Sequence, residues 1–101
     1  MKKALILFAL LLFASNAEAF KLESQRELGQ GEARNQNVIV KCTTPDGKIS
    51  NQTCTLRRFA KCNDKKVCIG WHPWKDLRNP GKSYDDWRSA ATDCCAAKGL
   101  R

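Results

Sequence analysis

Apolar and polar positions along the chain change character several times, and each change predicts a different element. Ala4 to Ala14 is an unbroken apolar run. Phe20 to Asn37 is mostly Glu, Gln, Arg and Asn, with Phe20, Leu22 and Leu28 as its bulky apolar residues and Gly29 and Gly31 interrupting any helix begun at Leu22. Such a stretch reads as a flexible N-terminal arm over 20–37. Val38-Ile39-Val40-Lys41-Cys42 is short and β-branched, the strongest strand in the chain. From Tyr84 onward the spacing turns helical. At about 100° per residue, Tyr84, Trp87, Ala91, Cys94, Cys95 and Lys98 form one stripe, while Asp85, Asp86, Ser89 and Asp93 face away.

The segments between these elements carry turn chemistry. In Thr44-Pro45-Asp46-Gly47-Lys48, Pro45 presets its backbone angle and Gly47 supplies a positive φ. A type I turn with a bulge at Gly47 pairs Cys42 with Ser50, Val40 with Gln52 and Val38 with Cys54, so Val38, Val40, Cys42 and Cys54 share one face. Thr53 to Ala60 continues extended, with Leu56 and Phe59 expected inward and Arg57 and Arg58 outward. A third strand can return through Val67 to Trp71. Trp71-His72-Pro73-Trp74 and Asn79-Pro80-Gly81 then punctuate an irregular connection. Ser83 is expected to cap the helix, with Asp86 at the third helical position and Gly99 as the left-handed residue that folds Leu100 back toward Cys95. The expected class is α+β: a small disulfide-rich domain over 38–101, a β-hairpin or three-stranded antiparallel meander packed on one C-terminal α-helix.

Compartment is read from the first residues and the cysteines. Met1-Lys2-Lys3, the apolar run and Ala17-Glu18-Ala19 have the build of a secretory signal peptide over 1–19. A membrane-spanning helix needs about 20 apolar residues, well beyond the length of this run. Cleavage after Ala19 changes the formal charge from +8 to +7 by removing two lysines and one glutamate. All six cysteines survive cleavage, and an even count in a short exported chain predicts three disulfides in an oxidising compartment, periplasmic or secreted. Hairpin and helix geometry assign Cys42 and Cys54 to Cys94 and Cys95, leaving Cys62 with Cys68. The cysteine spacing does not suit a metal knuckle, and neither metal nor cofactor is expected.

Candidate chemistry points to binding. His72 is the single histidine, and its neighbours offer nothing that activates a nucleophile. No serine has nucleophile-elbow context and no C-x-x-C redox motif is present, so the chain is read as not an enzyme. Trp87 is expected in the core. Trp71 or Trp74, beside His72, Lys75 and Arg78, is expected at the surface, where it would suit sugar stacking or a partner's pocket. The expected function is an exported basic binding protein that inhibits or modulates an extracytoplasmic protein or anionic glycan. The alternative is a secreted cationic antimicrobial or toxin-like protein acting on an anionic membrane surface. The Lys65-Lys66 loop resembles in outline a protease-inhibitor loop, and nucleic acid is not an expected partner.

Overall fold

The computed structural model describes residues 19–100, so the signal peptide expected at 1–19 lies outside the described residues except for Ala19. Six strands precede one helix: β1 (Phe20–Leu28), β2 (Asn35–Thr43), β3 (Ile49–Cys62), β4 (Cys68–Trp71), β5 (Trp74–Asp76), β6 (Asn79–Tyr84) and α1 (Trp87–Ala97). All pairings are antiparallel, in the order β1-β2-β3-β5-β6, with β4 also on β3. The class is therefore a small disulfide-rich α+β fold, with a larger sheet than the sequence suggested. No described helix is long and apolar enough to cross a membrane.

Residues 20–37 are not an arm outside this sheet. They form β1, a 3-10 turn at Gly31–Ala33 and the start of β2. β1 pairs along its length with β2, from Phe20 opposite Cys42 to Leu28 opposite Asn35, slipping by one between Leu22 and Ser24. The stretch has little strand propensity of its own; the Val38-Ile39-Val40 template beside it and the burial of Phe20 against Trp87 supply the order. Gly29 does not break a helix but turns the chain between strands. Its φ is 76°, and a Cβ there would lie 2.5 Å from the Ala33 carbonyl oxygen.

The β2–β3 register agrees with expectation only near the turn. Thr43 faces Ile49, but Lys41 faces Thr53, Val40 faces Cys54 and Val38 faces Leu56. Ser50, Asn51 and Gln52 thus crowd opposite Cys42. The Ser50 hydroxyl satisfies this bulge, donating to the Cys42 carbonyl at 2.7 Å and accepting from the Gln52 N–H at 3.1 Å. The slip of two residues preserves parity, so Val38, Val40, Cys42, Cys54 and Leu56 still meet in one buried layer.

The irregular connection expected after Trp71 is a hairpin. β4 and β5 run consecutively along the same edge of β3, with the His72 N–H on the Phe59 carbonyl between them. Pro73 has no donor, and the strand breaks there. β5 then pairs with β6 through Trp74 opposite Tyr84 and Asp76 opposite Asn79. Because Ser83 and Tyr84 belong to β6, the helix starts later than expected. Asp86 is its N-cap, accepting the Ser89 N–H at 2.8 Å. At the other end Gly99 has φ 74°, and the Leu100 and Gly99 N–H groups bond to Cys95 and Ala96, the Schellman pattern.

Ala90 and Ala91 are wholly buried, which lets α1 lie close over the sheet. Cys95 is bonded to Cys42 and Cys94 to Cys54, so the adjacent helix cysteines reach different strands; Cys62 is bonded to Cys68. Three disulfides fit an oxidising, extracytoplasmic environment.

Candidate functional site

α1 covers one face of the sheet, and alternation decides what the other face shows. On β3, Cys54 and Leu56 point under the helix, so Arg57 and Phe59 point away from it. Phe59 is 46% exposed and Arg58 half-buried, the reverse of the hydrophobicity-based expectation. Pairing then places Arg26 beside Asn37, Asn37 beside Arg57, and Arg57 beside Lys75, a row across four strands on the uncovered face. Neighbouring strands are about 4.8 Å apart. Asn37 separates the first two cations and orients the second: Arg57 Nε donates to its side-chain oxygen, while its amide donates to Asn35. None of the three cations has an ion-pair partner among the described residues.

The Lys75 end of this row opens into a groove of about 420 Å³. Phe59, Pro73, Leu77 and Pro80 give it apolar surface, and Arg57, Lys75, His72 and Ser83 give it polar groups. The arrangement combines an apolar seat with unpaired positive charge and suits an amphipathic anion.

Of the residues singled out from sequence, His72 and Lys75 meet in this groove. Trp74 does not; it is 4% exposed and belongs to the core beneath α1. In Trp74-Lys75-Asp76 the strand buries the first and third residues and exposes the second, an alternation hidden when the segment is taken for a loop. Trp71 is half-buried, its ring engaged by the guanidinium carbons of Arg34 at 4.6 Å and Arg58 at 4.9 Å. Arg58 also lies 4.8 Å from the Trp74 ring centroid and donates to Gln36 at 2.7 Å. Burial lowers the Arg58 pKa, and an arginine so placed still keeps its charge. Arg78 sits at the β5–β6 turn with its N–H on the Asp76 carboxylate, and it lines a different cleft. Sequence reasoning left out Arg26, Asn37, Arg57 and Phe59 as site residues; strand parity counted from Cys54 is the signal that recovers Arg57 and Phe59.

That other cleft holds an exposed cluster. Lys82 Nζ and the Tyr84 hydroxyl both donate to Asp93 Oδ2, at 2.9 and 3.0 Å. The Lys82 and Tyr84 bonds hold the Asp93 carboxyl below its usual 3.8. A depressed carboxylate pKa contributes stability above the unfolded value, and that contribution is lost as pH falls through the folded value. Asp93→Asn is therefore expected to melt slightly below the parent at pH 6, with the gap narrowing as the pH falls below 3.8; a gap that widens on acidification contradicts the assignment. Solvent exposure keeps the effect small.

The sulfurs of Cys42, Cys54 and Cys95 lie within 4.8 Å of one another, the spacing of a ligand set. They belong to two neighbouring disulfides, and a metal requires thiolates. Compared with known proteins, the chain matches no family model, no curated protein and no solved structure.

Proposed function

We propose that this is an exported, non-catalytic binding protein that modulates an extracytoplasmic partner by holding an acidic, partly apolar segment of it on the open face of the sheet. The observation that carries the reading is the in-register Arg26–Asn37–Arg57–Lys75 row opening into the groove at Phe59 and Leu77. A protein segment suits this surface better than a glycan. The two tryptophans suited to stacking on a sugar are taken, since Trp74 is buried and Trp71 already carries two guanidiniums. The groove keeps Phe59 as its one exposed aromatic beside three cationic side chains. The three disulfides and the leader-like first residues support an extracytoplasmic setting for this reading.

The test begins with a pull-down from envelope extract and culture medium using the oxidised protein. The captured partner is then titrated calorimetrically against the parent and against Arg57→Ala combined with Lys75→Ala. The double variant is expected to bind at least tenfold more weakly, about 1.4 kcal/mol, with its melting temperature nearly unchanged. Parent affinity should fall as salt rises. Unchanged affinity in the double variant removes the open face as the site.

A further inference from the structure

We infer that the tip of the β3–β4 hairpin docks on an anionic phospholipid bilayer. The hairpin end from Lys61 to Ile69 contributes no residue to the open-face groove, and the Cys62–Cys68 disulfide straps its two strands together. Lys61, Lys65 and Lys66 are all exposed there, none is ion-paired among the described residues, and Asp64 is the loop's one carboxylate. Among them stand Val67, 51% exposed, and Ile69, 80% exposed. Ile69 shares a bulge with Gly70, the two together opposing Lys61.

The backbone of the tip adds an independent observation. The Asn63 N–H bonds to the Val67 carbonyl and the Lys66 N–H to the Asn63 carbonyl, the pattern that Thr44, Gly47 and Lys48 make in the β2–β3 turn. The left-handed position is Gly47 in one turn, at φ 88°, and Lys66 in the other, at φ 63°. A lysine is strained where glycine is free, and retained strain points to a use for the side chain. The Asn63 side chain, which accepts the Lys65 and Val67 N–H groups, holds the turn in shape despite it.

Composition selects lipid over protein. Protein interfaces concentrate Trp, Tyr and Arg and are poor in Lys, whereas this tip has lysines with β-branched aliphatics and no arginine or aromatic residue. Ammonium groups on flexible stems reach phosphates while short aliphatic side chains enter the headgroup boundary. The tight turn also differs from the extended segment that a protease cleft accepts.

The experiment is co-sedimentation of the oxidised protein, purified after export so that the leader is removed, with vesicles of phosphatidylcholine alone or with phosphatidylglycerol added. Retention is expected on the anionic vesicles and should be lost in high salt. Ile69→Ser should weaken it at least tenfold and Lys66→Gly about fivefold. Lys66→Gly should not lower the melting temperature, because glycine relieves the strained position. Arg57→Ala with Lys75→Ala should keep vesicle binding, which separates this site from the groove. Equal retention on neutral vesicles, no retention on any, or anionic retention indifferent to Ile69 and Lys66 overturns the inference. Ile69-dependent binding to soluble poly-glutamate without vesicle retention would assign the tip to an acidic protein instead.

Discussion

Replacing Trp74 with alanine is expected to destabilise the protein by about 3–5 kcal/mol, the cost of truncating a large buried aromatic. The ring is 4% exposed within the core formed by Val38, Leu56 and the buried face of α1, and the Arg58 guanidinium lies over it. Its removal leaves a void that wholly buried Leu56 and Ala91 cannot fill without moving the disulfide-tied helix. Trp87→Ala should cost clearly less. Trp87 is only half-buried, and its ring contacts are Phe20 at 5.7 Å between centroids and Arg88 at 4.6 Å. Small domains have about 5–15 kcal/mol in total, so the Trp74 variant should unfold at distinctly lower urea than the Trp87 variant, with similar slopes. The consequence extends to the binding face. Lys75 shares a face with Arg57 because Trp74 and Asp76 point the other way. If Trp87 proves the costlier residue, that alternation is wrong and the cationic row loses its fourth strand.

The tryptophan assignment shows where sequence was informative and where it was not. Val38 to Cys42 announced a strand through β-branching, and Gly99 announced the helix end through the one conformation it adopts cheaply. Parity carried the disulfides: Cys42 and Cys54 fall on one face whether the register is shifted by two or not, so the Ser50 bulge did not disturb their reach to Cys95 and Cys94. The register itself was not legible, since the bulge depends on a serine hydroxyl meeting two backbone groups. β1 was not legible either, because its order comes from the partner strand and not from its own residues. β5 and β6 were obscured by Pro73, Pro80 and Gly81, which signal loops in isolation but are tolerated at an edge and a strand break. The candidate site suffered most. The groove needs Arg57 and Phe59 from β3 beside His72 and Lys75, residues separated in sequence that the β3–β5 pairing and the His72 N–H bond to the Phe59 carbonyl bring together.

The two disulfides that fasten α1 are expected to act as a pair and not as independent additions. Cys42–Cys95 spans 53 residues and Cys54–Cys94 spans 40. While Cys54–Cys94 stands, breaking Cys42–Cys95 opens only the short circuit from Cys42 through Cys54 and back through Cys94. A loop of that size corresponds to about 3 kcal/mol of chain entropy. Cys42→Ala with Cys95→Ala should therefore remain folded but melt well below the parent. Replacing all four cysteines removes the remaining 40-residue constraint as well, worth about 4 kcal/mol more. A combined loss near 7 kcal/mol approaches the whole stability of a small domain, so the four-alanine variant should be unfolded at room temperature. Cys62→Ala with Cys68→Ala opens a loop of sequence separation 6 and should cost about 2 kcal/mol, leaving the sheet and helix in place. Far-ultraviolet circular dichroism and urea titration of the three variants give the order. A four-alanine variant that still unfolds cooperatively, or a Cys62–Cys68 deletion costlier than loss of Cys42–Cys95, would show that packing around Leu56 and Trp74 holds the helix without its sulfur ties.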